Sequence, residues 1–289
     1  MTNFSIKIMA NITILIGSYY DGDYRIRRLK EEIANFKNIK IIELKSRITY
    51  PFNEDILKDD IYYFFVGAST KYDTNFLAKY LDENGKIIIN GIYKKYRLID
   101  KTLMYDSVNK IVNIPKFIKI YSMNNLHLIE KYIGYPLVIK HSLRHRGEFV
   151  YLINNREELK DFFMNNPENI RKLPFLIFQK YIPYEKDVRI IFIGEPYGGM
   201  QRINQGTFKA NISQGGYGKP FELNEELKEI CYKISEKLDL QIFAFDILIK
   251  DNEYYVIDIH HIFQFEGFEK YVGKNVMRDI LKYLNGIRN

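Results

Sequence analysis

The sequence predicts an α/β protein with an open α/β domain at its N-terminus and α+β parts after it. Residues 1–97 alternate short apolar runs with helical spacing, which is typical of βαβ units around a parallel sheet. After Asn90-Gly91 this alternation changes, and pairs of apolar runs follow one another between helical stretches. Residues 242–261 alternate in hydrophobicity around Lys250-Asp251-Asn252, which predicts a β-hairpin.

Within residues 1–97, strands are predicted where β-branched apolar residues run together, and helices where apolar residues recur every three or four positions. The predicted strands are 11–16, 39–44, 62–67 and 86–90, and the predicted helices are 24–36 and 74–83. This order of strands and helices indicates a small open sheet with helices packed against it.

The rest of the chain is predicted to contain antiparallel strand pairs between helices. The predicted helices are 98–109, 126–134, 156–166, 222–240 and 274–286, and the predicted strands are 136–142, 148–153, 174–182, 188–194 and 196–203. The segment 206–219 has four glycines at polar positions and is interpreted as a loop. Whether that loop covers a ligand or lies plainly on the surface is left open.

The composition favours an ordinary globular protein over a nucleic-acid-binding one. The chain has 289 residues, of which 46% are hydrophobic and 27% charged, and its net charge is +7. Its basic residues alternate with acidic ones, so scattered solvated lysines are the preferred interpretation and nucleic acid is not an expected partner. No apolar run reaches the ~18 residues that a membrane span needs, so no membrane partner is expected.

The single cysteine, Cys231, excludes a disulfide within the chain and a cysteine-based metal cluster. It lies in a helical apolar pattern, which predicts a core residue rather than a catalytic thiol. A chain without internal disulfides is typical of a reducing compartment, and we expect a cytoplasmic protein. The histidines show no zinc-motif spacing.

Two acids lie near the ends of apolar runs in the predicted hairpin. Asp246 and Asp258 would each cost free energy if they were buried without a partner. On paired strands they can face the same side, and hard cations such as Mg²⁺ need carboxylate oxygens, which they share with phosphate oxygens. A structural salt bridge is the better explanation for either acid alone, but two acids on one hairpin favour a metal-bound nucleotide.

Several cationic side chains are placed where they can meet an anion. Lys140 ends an apolar strand, and the basic loop after it closes at Gly147. A lysine in this place either reaches solvent or approaches an anion, and loop amides together with cations can cover phosphates. Arg189 begins a later strand and Arg202 lies on the next, which suits phosphate and carboxylate recognition. Neither GxxxxGK[ST] nor GxGxxG is present.

Taken in order, six stretches resemble the ATP-grasp superfamily and, more closely, its RimK-like branch, which includes archaeal glutamate ligases. These stretches are IINGIYKKYRLIDKTLM, YPLVIKHSLRHRGEFVYLI, FQKYIPYEKDVRIIFIGE, FKANISQGG, AFDILI and IDIHHIFQFEGFEKYVGKNV. Their order and spacing make the match specific over residues 88–280. The resemblance implies an ATP-grasp fold with a pre-ATP-grasp domain at 1–97, a central subdomain at 98–178 and a C-terminal subdomain at 179–289. The nucleotide would lie between the last two.

The resemblance also implies three groups of site residues. The group that holds the phosphates, the covering loops, the adenine hinge and the ribose comprises Lys101, Lys140, Ser142, Gly147, Gln179, Lys180, Tyr181, Ile182, Asp187, Lys209 and Asn211. The group that faces the acyl phosphate and the acceptor carboxylate comprises Lys140, Arg189 and Arg202. The metal-binding group comprises Asp246, Asp258 and His260.

The metal-binding group departs from the family pattern. Where the family has Asp and then Glu-x-Asn, this chain has Asp246 and then Asp258-Ile259-His260. An imidazole is a poor ligand for Mg²⁺ but acceptable for Mn²⁺. Either ion is therefore expected, with two ions bound beside ATP.

The activity implied by the resemblance is an ATP-dependent carboxylate–amine ligase that works through an acyl phosphate. Its partners would be ATP, an amino acid such as glutamate and a carboxylate acceptor, which is either a small molecule or a carrier protein. The resemblance also implies a homodimer or homotetramer. The unusual Asp258-Ile259-His260 keeps an alternative open, namely an ATP-grasp nucleotide-binding protein with altered or lost ligase activity.

Overall fold

The structure is a computed structural model that describes residues 10–17, 22–44, 52, 54–65, 73–143, 149–203 and 216–287. The first part contains β1 (Ile12–Ile16), α1 (Tyr24–Ile33), β2 (Ile39–Glu43), a 3-10 helix (Glu54–Leu57), β3 (Ile61–Phe64), α2 (Asp73–Glu83), β4 (Ile87–Ile89) and α3 (Ile92–Lys95). The four strands form one parallel sheet in the order β2-β1-β3-β4, as the alternation of strands and helices predicts.

The second part contains an antiparallel sheet. Its elements are α4 (Lys101–Val108), β5 (Phe117–Ile118), a 3-10 helix (Met123–Asn125), α5 (Leu126–Tyr132), β6 (Leu137–His141), β7 (Val150–Ile153), α6 (Arg156–Met164), α7 (Glu168–Arg171), a 3-10 helix (Leu173–Phe175) and β8 (Leu176–Lys180). The strand order is β5-β8-β6-β7. Helix α4 starts later than the predicted 98–109, because the side chain of Asp100 accepts a hydrogen bond from the Leu103 N–H and caps it.

The third part contains the longest strands. Its elements are β9 (Lys186–Ile193), β10 (Pro196–Ile203), β11 (Tyr217–Phe221), α8 (Glu225–Leu238), β12 (Ile242–Lys250), β13 (Glu253–His260), α9 (Glu266–Val272) and α10 (Val276–Gly286). The strands form one antiparallel sheet in the order β11-β10-β9-β12-β13. The predicted hairpin is confirmed, and its turn residues Asp251 and Asn252 both have positive φ, as a tight two-residue turn requires.

The prediction of a loop throughout 206–219 is wrong at its C-terminal end. Residues from Tyr217 onward form β11, which pairs with β10 at the edge of the five-stranded sheet. Gly218 and Pro220 hide this strand in the sequence, since both residues weaken a strand pattern. An edge strand tolerates the proline because one side of its backbone has no strand to bond.

Three apolar clusters lie between these layers. Two of them each contain residues from the N-terminal sheet and from the five-stranded sheet. Phe64 and Phe243 belong to one of these clusters, and Ile14 and Ile242 belong to the other. The third cluster consists only of residues of the second part, from Ile118 to Phe178. The proposed divisions at 97 and 178 remain predictions. None of the described helices has the length and apolar character needed to cross a membrane.

Asn90 links the N-terminal sheet to the open end of the hairpin β12–β13 through hydrogen bonds. It is fully buried, with φ at 65°. Its side-chain oxygen accepts hydrogen bonds from the N–H groups of Gln241 and Ile242, each at 2.9 Å. Its amide nitrogen donates to the carbonyls of Ile242 at 2.8 Å and His261 at 3.4 Å. One side chain therefore fixes where β12 begins and where the chain leaves β13.

Replacing Asn90 with Ala is expected to lower the free energy of unfolding by about 3 kcal/mol. The change leaves one buried and one partly buried N–H group without their acceptor, and it puts alanine at a left-handed φ that asparagine adopts more readily. Urea unfolding followed by circular dichroism measures the loss. The exposed Asn109 at the end of α4 is the matched control, and its replacement by Ala should change stability by less than about 0.5 kcal/mol. Equal losses would contradict the role of Asn90.

Cys231 is a core residue, as its sequence pattern predicts. It lies on α8 and is fully buried beside Leu227 and Ile234. Burial raises the pKa of its thiol to about 12. At a given pH the native protein should therefore hold about 10³-fold less thiolate than an ordinary cysteine. We expect an Ellman-type thiol reagent to label it only after urea unfolding, and prompt labelling in native buffer would contradict this burial.

Candidate active site

One face of the five-stranded sheet carries a row of charged side chains. In the strand register Asp246 on β12 lies between Arg189 on β9 and Asp258 on β13, and Arg202 on β10 lies opposite Asp187 on β9. Directly opposed residues of antiparallel strands point to the same face, as do residues two apart on one strand. The sheet geometry alone therefore brings these five side chains together.

Asp246 is the centre of this row. It is buried, and its two carboxylate oxygens accept hydrogen bonds from Nε and Nη2 of Arg189 at 2.8 and 2.9 Å. Nη1 of Arg202 lies 3.1 Å from its Oδ2. Burial alone would raise the pKa of this carboxyl, but Arg189 and Arg202 hold it well below its usual range. Asp246 is thus a carboxylate bound by two guanidinium groups.

Arg202 also binds Asp187, so it links two acids of the row. Its Nε and Nη2 donate to Oδ1 of Asp187 at 2.8 and 2.5 Å, and both side chains are buried. Burial would lower the pKa of Arg202, but Asp187 and Asp246 raise it above its ordinary value. The guanidinium therefore keeps its charge inside the protein.

Asp258 and His260 complete a group that could hold a metal ion. Nε2 of His260 lies 3.3 Å from Oδ2 of Asp246 and 3.6 Å from Oδ2 of Asp258, and one ligand atom from each of the three residues lies within 4.8 Å of the others. Burial opposes ionisation of Asp258, but His260 and then Lys101, which forms an ion pair with it, lower its pKa. Two carboxylates and an imidazole are a suitable donor set for Mn²⁺ and, less well, for Mg²⁺.

Lys140 reaches toward this row from the sheet of the second part. Its Nζ donates to Oε1 of Gln179 at 2.7 Å and to the carbonyl of Ile257 on β13 at 3.0 Å. The hydroxyl of Tyr105 donates to the same carbonyl at 2.6 Å. Burial lowers the pKa of Lys140 to about 8, and the charge of nearby Asp258 opposes this shift. A cation thus lies where the second and third parts face each other.

Buried polar atoms near these lysines fit a polar ligand. Among the described residues, Oγ of Ser142 and Nε2 of Gln179 are buried without a hydrogen-bond partner from the protein. The Lys101 N–H donates to the carbonyl of Ser142 at 3.2 Å, so Ser142 lies next to the helix that carries Lys101. Buried polar atoms normally have partners, and a polyanionic ligand with many oxygens would supply them here.

The predicted adenine hinge follows β8, and much of it is bound to the protein. The N–H of Lys180 donates to the Lys116 carbonyl at 2.8 Å, and the N–H of Tyr181 donates to the Pro136 carbonyl at 3.2 Å. Nζ of Lys180 donates to the Tyr135 carbonyl at 2.9 Å, so this side chain supports the neighbouring segment. Any contact of the hinge with a base would use the remaining backbone groups that lead to Ile182.

Contacts and the strand register connect most of the predicted site residues with one another, and the structure adds others. Gly147, Lys209 and Asn211 lie outside the described residues. Sequence reasoning missed Tyr105, which holds the Ile257 carbonyl, and it also missed Asn90. Tyr105 falls in an ordinary helical pattern and gives no signal of this role. Asn90-Gly91 marks a change in the alternation of strands and helices along the sequence. The N–H groups that Asn90 binds lie 151 and 152 residues further along the chain, so the sequence pattern does not indicate them.

A family model of the RimK-like ATP-grasp domain matches residues 99–284. The chain belongs to the RimK-like ATP-grasp family. It is 30% identical over 219 residues to the coenzyme gamma-F420-2:alpha-L-glutamate ligase of Methanococcus maripaludis, and the match covers 72% of this chain and 75% of that one. It is 25% identical to the glutamate–LysW ligase ArgX of Sulfolobus acidocaldarius, over 81% of this chain and 84% of that one.

A solved structure has a similar fold. The RimK-domain ATP-grasp protein of Sphaerobacter thermophilus superposes with a TM-score of 0.69 at 15% identity, over 95% of this chain and 99% of that one. At this identity the similarity concerns the fold alone. The predictions of an ATP-grasp fold and of an ATP-dependent ligase of the RimK-like branch are confirmed.

Proposed function

We propose that this RimK-like ATP-grasp protein is a carboxylate–amine ligase that adds an amino acid to a carboxylate acceptor, with glutamate as the first candidate. The main support is the row of Arg202, Arg189, Asp246 and Asp258 on one sheet, facing Lys140 from the other. Cations that converge beside a possible metal site suit a triphosphate and two carboxylate substrates. Glutamate is the first candidate because both relatives named above are glutamate ligases.

The proposed roles of the nucleotide-binding residues follow the resemblance to the family and, for Lys101 and Lys140, also their contacts with Asp258 and Gln179. Lys101 and Lys140 would hold phosphate oxygens, with the hydroxyl of Ser142 as a further donor. The remaining residues would contact adenine and ribose or cover the phosphates, and they are Gly147, Gln179, Lys180, Tyr181, Ile182, Asp187, Lys209 and Asn211. Gln179 has a second role in this proposal, because its Oε1 positions Nζ of Lys140.

Asp246, Asp258 and His260 would hold one or two divalent cations. Their donor atoms lie close enough to bind a single ion, and their chemistry fits Mn²⁺ or Mg²⁺. Such an ion would neutralise negative charge on the phosphate oxygens.

The proposed reaction has two steps. A carboxylate oxygen of the acceptor attacks the γ-phosphorus of ATP, a new O–P bond forms, and the bond to the β-phosphate oxygen breaks with release of ADP. The amino nitrogen of the second substrate then attacks the acyl carbon, loses a proton, and expels phosphate as the amide forms. Arg189, Arg202 and Lys140 contribute by orienting the substrates and by neutralising charge, since phosphoryl transfer needs little covalent help from a protein.

The test is ADP release by the full chain with Mg²⁺ or Mn²⁺, for each common amino acid combined with a panel of small-molecule carboxylates and carrier-protein C-termini. We expect one pair to give ADP and phosphate in equal amounts, with mass spectrometry showing the amide product. ADP release that needs neither substrate would contradict a ligase. Tight ATP binding without turnover across the panel would favour the alternative of a nucleotide-binding protein.

That alternative rests on one specific observation. Nη2 of Arg189 lies 3.3 Å from Nε2 of His260, so the residue that replaces the family's asparagine contacts an arginine of the row. If this contact persists with nucleotide bound, it would keep His260 from a metal ion. Restoring the family residue by His260→Asn should then raise ligase activity, whereas a fall in activity would favour the metal-binding role of this histidine.

A further inference from the structure

The proposed metal-binding acids are both paired with cations of the same chain. Asp246 is held by Arg189 through two hydrogen bonds and by Arg202 through a third contact. Asp258 forms an ion pair with Lys101, whose side chain is only 5% exposed. Each carboxylate therefore already has a positive charge against it. A metal ion from solution binds there against the repulsion of these cations or in place of one of them.

Arg189 lies against part of the proposed ligand set. One guanidinium contacts both oxygens of Asp246 and approaches Nε2 of His260 at 3.3 Å. These are atoms of two of the three groups that would bind the ion. The arginine thus supplies positive charge where a divalent cation would otherwise supply it.

The charge of the whole row also opposes a lone cation. The carboxylates of the row are Asp187, Asp246 and Asp258, and the cations that contact or face them are Lys101, Lys140, Arg189 and Arg202. Cations therefore outnumber carboxylates among these residues. A free divalent ion meets a positive cluster, whereas a nucleoside triphosphate meets an attractive one.

We propose that Lys101 and Arg189 are internal counter-ions that exclude a free divalent cation, so that the metal binds only together with the nucleoside triphosphate. This proposal rests on the proposed function. Phosphate oxygens compete for Nζ of Lys101 and release Asp258, while the triphosphate brings the negative charge that the ion needs. The same lysine would then bind phosphate in one state and a metal-ligating acid in the other.

The experiment measures binding of Mn²⁺ alone by calorimetry and by electron paramagnetic resonance, without nucleotide and with a non-hydrolysable ATP analogue. We expect the parent to bind Mn²⁺ at least about tenfold more weakly without the analogue. In Lys101→Gln, Mn²⁺ affinity without nucleotide should rise about tenfold, while affinity for the analogue falls. Lys101→Arg keeps the cation and should exclude Mn²⁺ as the parent does.

Lys119→Gln is the matched control, because Lys119 is a partly buried lysine that pairs with Asp100 and contacts neither metal-binding acid. It should leave Mn²⁺ binding unchanged. Arg189→Gln gives a second route if Lys101→Gln does not fold, since it removes the positive charge beside Asp246, and it too should tighten free Mn²⁺ binding. Equal Mn²⁺ affinity of the parent with and without the analogue would overturn the proposal. No analogue binding at all would instead overturn the proposed function.

Discussion

Replacing Asp246 with Asn is expected to lower kcat/KM for ADP formation by about 10³-fold, which is the scale of losing a main electrostatic contact in an active site. The substitution keeps the shape of the side chain and removes its charge. Arg189 and Arg202 then lose the carboxylate that orients both of them, and the proposed metal site loses its most buried oxygen ligand. Steady-state ADP release with the substrate pair found in the ligase assay measures the effect.

The same variant should lose about 3 kcal/mol of unfolding free energy, because the partly buried Arg189 loses its carboxylate partner and the buried Arg202 keeps only Asp187. Urea unfolding is therefore measured beside activity, at a temperature where both proteins are folded. Asp251→Asn is the matched control, since Asp251 lies in the exposed turn of the same hairpin and asparagine also tolerates its positive φ. Parent-like turnover by Asp246→Asn would show that Asp246 does not have the proposed role.

The hairpin that carries Asp246 was predictable because its signals are local. Alternation with a period of two defines the strands, and Asp251-Asn252 supplies residues that accept a left-handed turn. Counting back from this turn, regular pairing would place Ile257 opposite Asp246, and a bulge between Asp246 and Ile247 places Asp258 there instead. The two strands and their turn thus follow from fewer than twenty consecutive residues, whereas the pairing of the two acids depends on a bulge that the local pattern does not predict.

The partners of these acids could not be derived from local patterns. β12 pairs with β9 on its other side, which places Arg189 against Asp246 across 57 residues of sequence. Lys101 meets Asp258 across 157 residues. Spacing in the sequence shows which residues share a face of one strand, but not which strands become neighbours. The resemblance indicates which residues belong to the proposed site. The structure shows the ion pairs between them.

Replacing Lys140 with Met is expected to weaken binding of an ATP analogue about 100-fold, a loss of about 2.7 kcal/mol. The methionine has no ammonium group. The variant therefore lacks the buried positive charge that Gln179 and the Ile257 carbonyl hold where the phosphates are proposed to lie. Calorimetric titration measures the affinity. Lys160→Met, on the exposed face of α6, is the matched control and should bind the analogue like the parent. Unchanged affinity of the Lys140 variant would remove this lysine from the nucleotide site.

The parent and Lys140→Met should differ in how the free energy of unfolding depends on pH. Burial lowers the pKa of Lys140 to about 8 in the folded protein, against an ordinary value of 10.5. Asp258, Lys101, Asp246 and Asp187 surround it, and of these only Lys101 adds to the lowering. Between these two pH values the unfolded chain binds a proton on this lysine that the folded protein does not, so stability rises with pH.

The parent should therefore gain about 2–3 kcal/mol of unfolding free energy relative to Lys140→Met between pH 8 and pH 10.5, and the difference should be constant below pH 7. The hydrogen bonds that the variant loses shift its stability by an amount that does not depend on pH. Because all other titrating groups are common to both proteins, subtracting the two curves isolates Lys140. Urea unfolding at several pH values across this range supplies the curves, and parallel curves would mean that Lys140 is not buried as a cation.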